Sequence, residues 1–132
     1  MNPNKLTTKS QEALSAAQTA AVRSQHVEID GEHLLLALLE QTEGVVPRLL
    51  RKAEVQVDAL TEGVRRELAR RPKVSGPGAE PGKVYVTQRL NRLLVAAEDA
   101  ADRLKDEYVS VEHLFLALVD EGTGTATGRL LH

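Results

Sequence analysis

Apolar residues recur along this chain with the period of a helix buried on one side. Leu14, Ala17 and Ala21 share one face of a first segment, which Thr7 or Thr8 can cap and which runs to about Gln25. Thr8 with Gln11 reads as a capping box. Residues 26–29 then read as a short extended connector. Asp30 caps a second helix over about 32–40, with Glu32 in its first turn, where negative charge suits the helix dipole. That helix is apolar almost all round, so it is expected to be central and buried. Gly44 breaks the chain, and Pro47 suits the first turn of a third helix ending near Lys52. Asp58 caps a fourth, with Leu60, Val64 and Leu68 as its stripe; Arg65, Arg66, Arg70 and Arg71 are expected mostly to face water. Residues 72–83, rich in proline and glycine, read as a mobile linker. Thr87 caps a fifth helix whose inner face is Leu90, Leu93, Leu94, Ala97, Ala101 and Leu104, and Ser110 caps a sixth. Gly122 and Gly124 repeat the break at Gly44, and a seventh helix follows.

The pattern is written twice, 80 residues apart. Glu32-His33-Leu34-Leu35-Leu36-Ala37-Leu38-Leu39-Glu40 returns as Glu112-His113-Leu114-Phe115-Leu116-Ala117-Leu118-Val119-Asp120. Thirteen of the thirty-four positions from 7 to 40 match their partners without a gap. Register held across two helices and the loop between them means an internal duplication. The expected fold is all-α: two pseudo-symmetric repeats with about seven to eight helices. Repeat one is placed at 6–71, a linker at 72–84, and repeat two at 85–132. Repeat two has no room for a counterpart of helix four, so the chain is expected to be a fragment of something longer.

Composition narrows the function classes. At 132 residues the chain suits one compact unit or two small halves sharing a core. A formal charge of −2 gives no electrostatic reason to bind nucleic acid or an anionic membrane. There is no cysteine, hence no disulfide or thiolate chemistry, in keeping with a cytoplasmic protein. The first five residues do not lead into an apolar signal core, and the longest apolar run, 34–39, is far short of a bilayer span. Tyr85, Tyr108 and Phe115 are the only aromatics, so the core must be aliphatic.

Catalytic chemistry is not signalled. Gly82-Lys83 is followed by Val84, and Pro77 stands where a phosphate loop needs glycine, so this chain is not expected to hydrolyse nucleotide itself. His33 and His113 lack a second histidine three or four residues away, which argues against a metal site. Each of these histidines is instead expected to cap its first turn or pack over its connector. No cofactor and no catalytic residue is assigned. On helix five, Ala96 and Ala100 lie roughly 100° round from Ala97 and Ala101. Next to Asp106-Glu107-Tyr108 they can line a shallow apolar groove rimmed by acid, or they can simply let two helices approach closely.

Four stretches together resemble the N-terminal domain of the ClpB disaggregase. They are 6–14, the 33–39 run, Ala69-Arg70-Arg71-Pro72-Lys73-Val74, and Asp106-Glu107-Tyr108-Val109-Ser110-Val111-Glu112-His113. The resemblance covers nearly the whole chain, with the motifs in family order. It implies a duplicated helical module tethered to two ATPase units of a hexameric ring that threads aggregated polypeptides together with the DnaK system. ATP and magnesium would then belong to the parent, and the fragment itself would be monomeric. The resemblance also implies a groove for exposed apolar segments of unfolded chains, with polar contacts from Thr7, Asp106 and Glu112 and apolar positions at Ala96, Ala100 and His113. Larger aliphatics are common at those three positions, which implies a shallower groove here. In the related ClpC proteins, the glutamates matching Glu32 and Glu112 grip a phosphorylated arginine, which is the alternative reading. The partner of Asp106 in repeat one is His26, so one groove is expected to be active and its copy degraded.

Overall fold

The structure, a computed structural model, describes residues 3–73, 84–124 and 126–131. It is all-α among those residues. The helices are α1 (Thr8–Arg23), α2 (Gly31–Glu40), α3 (Val45–Lys52), α4 (Val57–Ala69), α5 (Gln88–Arg103), α6 (Val111–Asp120) and α7 (Ala126–Leu131). Two short strands, β1 (Glu28–Ile29) and β2 (Tyr85–Val86), pair in parallel.

The duplication is visible in the caps. Thr7 and Thr87 close α1 and α5 in the same way: each hydroxyl accepts the amide of the residue three ahead, Ser10 or Leu90. The cap of α1 is therefore Thr7 and not Thr8. The far ends match as well. Gln25 and Lys105 both sit at positive φ, 60° and 59°. The following amides, of His26 and Asp106, reach back to the carbonyls of Ala21 and Ala101 at 2.9 and 2.8 Å. This is a Schellman closure made without glycine, and each left-handed residue costs about 1 kcal/mol.

The central helix is α2, as its all-round apolarity requires. It packs against α1, α3, α4 and α6, and Leu34, Leu35 and Leu38 are fully buried. Each contributes about 1.5–3 kcal/mol by leaving water. Beside it, α1 presents Ser10, Ala13, Ala17 and Ala21, while Leu14 is only partly buried; small side chains let the two helices approach closely. On α4 the stripe is Val57, Leu60, Gly63, Val64 and Leu68, with Gln56 at the cap and Asp58 in the first turn. Leu104, expected on the inner face of α5, is instead 62% exposed, because the helix has ended and Leu104 is its C-cap.

The halves exchange their leaders. The segment entering α5 pairs with the connector of the first half: the Tyr85 and Thr87 amides donate to the Val27 and Ile29 carbonyls. The segment entering α1 pairs with the connector of the second half: Thr7 N–H donates to Val109 O at 3.1 Å, and Val109 N–H to Lys5 O at 2.7 Å. The proposed linker falls mostly on residues 74–83, outside the described residues.

Candidate functional site

The leader exchange decides what surrounds the second connector. Thr7 is bonded to Val109, and Ser10 Oγ donates to the same carbonyl at 2.9 Å. Three residues on, Glu112 lies exposed in the first turn of α6 and makes no ion pair among the described residues. Asp106 stands at the other end of the connector with its side chain half exposed. Thr7, Asp106 and Glu112 therefore gather around one connector.

The apolar positions behave differently. Ala96 is exposed, but Ala100 is only 3% exposed and belongs to the packed side of α5. It cannot line an open groove as expected. His113 was also expected on that surface, but its ring is buried. Its Nδ1 accepts the Ser110 amide at 2.9 Å, which closes the helix start. That bond leaves the proton on Nε2, which donates to Asp106 Oδ2 at 2.9 Å. His113 is thus the residue that holds Asp106. The equivalent alanine face of α1 lines an open groove with Gln11, Glu12, Ser15, Ala16, Thr19, Ala20, Arg23 and Glu40.

Glu32, paired with Glu112 in the alternative reading, is closed off. It is 3% exposed and receives two guanidiniums of its own chain: Arg71 Nη2 at 2.6 Å and Arg89 Nη1 at 2.8 Å. Arg89 also donates to both carboxylate oxygens of Glu121, while Asp30 takes Arg71 and the Thr87 hydroxyl. Burial lowers the Arg89 pKa, but the Glu121 hydrogen bonds and the charges of Glu32 and Asp30 outweigh it and raise the value further. For Asp30, burial is outweighed by the Gly31 amide, Thr87, Arg89 and Arg71, so its carboxyl is held below its ordinary value. Arg71 was expected to face water; its guanidinium is drawn inward by this acid pair.

The Glu32–Arg89 site was foreshadowed by a contrast between the repeats. The repeat partner of Gly31 is Val111, and that of Arg89 is Lys9. A Cβ on Gly31 would lie 2.8 Å from Arg89 Nη2, so glycine leaves the room that the guanidinium fills.

Residues 5–132 match the family model described as the Clp repeat (R) N-terminal domain. The chain belongs to the Clp N-terminal domain family. This Clp N-domain is 52% identical over 130 residues to the chaperone protein ClpB of Nitratidesulfovibrio vulgaris and 47% identical over 121 residues to that of Bacillus cereus. The alignments take in 98% and 92% of the chain but 15% and 14% of those relatives, so it spans about one seventh of their length. Among solved structures, the N-terminal domain of the ClpV1 ATPase from E. coli is similar, with a TM-score of 0.81 and 28% identity over 97% of this chain and 77% of that one. The Hsp104 N-terminal domain from Candida albicans shares the fold: TM-score 0.80, 20% identity, 96% of this chain and 79% of that one. No helix among the described residues of this Clp N-domain is long and apolar enough to cross a membrane.

Proposed function

We propose that this Clp N-domain is the client-binding module of a ClpB-type disaggregase. In this reading it captures exposed apolar segments of unfolded or aggregated polypeptides and takes no part in catalysis. Threading, with ATP and magnesium, falls to modules elsewhere in a cytoplasmic hexamer that works with the DnaK system. The observation that carries the reading is the convergence of Thr7, Asp106 and Glu112 on one connector, with two carboxylates open to solvent. Ala96 on α5 and Tyr108 in the connector are exposed and would supply the apolar surface. The buried Ala100 and His113 narrow that surface, so weak, fast-exchanging capture is expected. The occupation of Glu32 by Arg71 and Arg89 weighs against a two-glutamate phosphoarginine site.

The test is titration of the isotope-labelled chain with reduced, carboxymethylated α-lactalbumin, which stays unfolded. Saturable amide shifts at Thr7, Ala96 and 106–112 are the expected result. Shifts confined to α3 and α4, or none at millimolar client, overturn the reading. Saturable phosphoarginine binding that is lost on changing both Glu32 and Glu112 would favour the ClpC-type alternative.

A further inference from the structure

His33 is the repeat partner of His113, and it caps α2 in the same way, with Nδ1 accepting the Asp30 amide at 2.9 Å. That bond requires a lone pair on Nδ1, so neutral His33 carries its proton on Nε2. Nε2 lies 2.9 Å from His26 Nδ1, which must then be the acceptor, and His26 carries its own proton on Nε2. One backbone donor thus fixes the tautomers of both rings. The last proton, on His26 Nε2, is buried and without a hydrogen-bond partner among the described residues. The Leu68 carbonyl lies near enough to favour it electrostatically, without forming an aligned bond.

This chain of bonds has no place for an extra proton. Added to His26 Nδ1, it would point at the His33 N–H. Added to His33 Nδ1, it would point at the Asp30 amide and break the cap. The charged groups around the rings do not invite it either. Arg71, at the end of α4, opposes charge on both rings, and Lys73 opposes charge on His26. Asp30 and Glu32 on the α2 side favour a charged His33, but both carboxylates are already engaged by Arg71 and Arg89. In the second half the acceptor is Asp106. Its carboxylate is half exposed, so the second chain of bonds ends on an acid open to solvent and not on a second buried imidazole.

The first connector is also what fastens the leader of α5. Its Val27 and Ile29 carbonyls hold the Tyr85 and Thr87 amides, and Asp30 holds the Thr87 hydroxyl at 2.9 Å. We propose that His26 and His33 form an acid-sensitive latch between the two halves, one that opens the first connector at mildly acidic pH while the second stays closed. Burial, the main cause, lowers the His33 pKa to about 4, against an ordinary 6.5 once the ring is released. Opening is therefore favoured roughly twenty-fold on going from pH 7 to pH 5.

The experiment is amide exchange on the full chain across that range, read as protection factors. The Asp30, Tyr85 and Thr87 amides are expected to lose roughly twenty-fold in protection relative to Thr7, Val109 and Ser110. His26→Asp, which copies the second half, is expected to remove the difference. Asp106→His, which copies the first, is expected to make the second connector acid-labile. Ring nitrogen spectra of His33 at pH 7 are expected to show an unprotonated Nδ1, a readout that needs no variant to fold. Parallel loss at both connectors, undiminished acid lability in His26→Asp, or a protonated Nδ1 on His33 would each overturn the latch.

Discussion

Removing the Arg89 guanidinium tests the ion cluster that joins the halves. In Arg89→Ala, Glu32, 3% exposed in the folded chain, loses the guanidinium that donates to both of its oxygens, and Glu121 loses its pair. Breaking a buried pair by deleting one partner costs about 3–5 kcal/mol, because the remaining charge is stranded. The Arg89 side chain is 17% exposed and Arg71 stays on one oxygen of Glu32, so the low end applies, about 3 kcal/mol. For a domain of this size that lowers Tm by roughly 10 °C. The repeat supplies the control. Lys9, in the equivalent position, pairs among the described residues only with Glu12, at 3.4 Å and with both side chains more than half exposed. Lys9→Ala is therefore expected to change stability by less than about 0.5 kcal/mol. A double substitution of Glu32 and Arg89 to methionine is expected to recover part of the loss, since Glu32 is then no longer stranded while Glu121 still lacks the Arg89 guanidinium. Denaturant unfolding of the four proteins decides it. A loss in Arg89→Ala no larger than in Lys9→Ala would refute the argument.

Four further outcomes are expected. The pKa of His33 is depressed in the folded chain, so the unfolded chain binds the proton more tightly. His33 thus contributes stability at and above pH 6.5 that is lost as pH falls towards 4; the gap amounts to about 3 kcal/mol. Denaturation from pH 7.5 to 4 should show this slope, and His33→Gln, which keeps an acceptor for the Asp30 amide, should flatten it. Leu38→Ala and Leu118→Ala, both at fully buried repeat-related sites, are each expected to cost about 3 kcal/mol by chemical denaturation. Lys105→Gly is expected to raise stability by roughly 0.5–1 kcal/mol, because glycine adopts its positive φ without strain; a loss on thermal unfolding would contradict this. Asp106→Ala is expected to weaken capture of carboxymethylated α-lactalbumin far more than His26→Ala, and equal dissociation constants would reject a single active groove.

The seven helices, the duplication and most caps were legible because each rests on local signals: helical spacing, Thr and Asp at helix starts, and breaks at Gly44 and Gly122. The ends of α1 and α5 were blurred because Gln25 and Lys105 do the work usually given to glycine, and neither announces a left-handed turn. Thr7, Asp106 and Glu112 came from the family resemblance and not from the repeat, in which the partner of Asp106 is His26; the pairing of Thr7 with Val109, between the two acids, needed the fold. Ala100 was misplaced because periodicity gives the angle round a helix but not the depth at which a neighbour covers it; His113 was placed in the groove by the resemblance, while the reading of it as a first-turn cap is what the fold shows. Arg71 was misread for a related reason. A run of arginines looks solvated until a distant acid pair, Asp30 and Glu32, is brought against one of them. The chemistry of His26 became visible only once folding placed it beside His33.

The crossed leaders carry a consequence for how the molecule would survive damage. Each half closes its own ladder with a piece of the other, in the manner of clasped hands. Cleavage of the peptide chain between the halves would therefore leave both of these pairings in place. The two pieces should travel together through a sizing column, and each alone would lack the strand its connector needs.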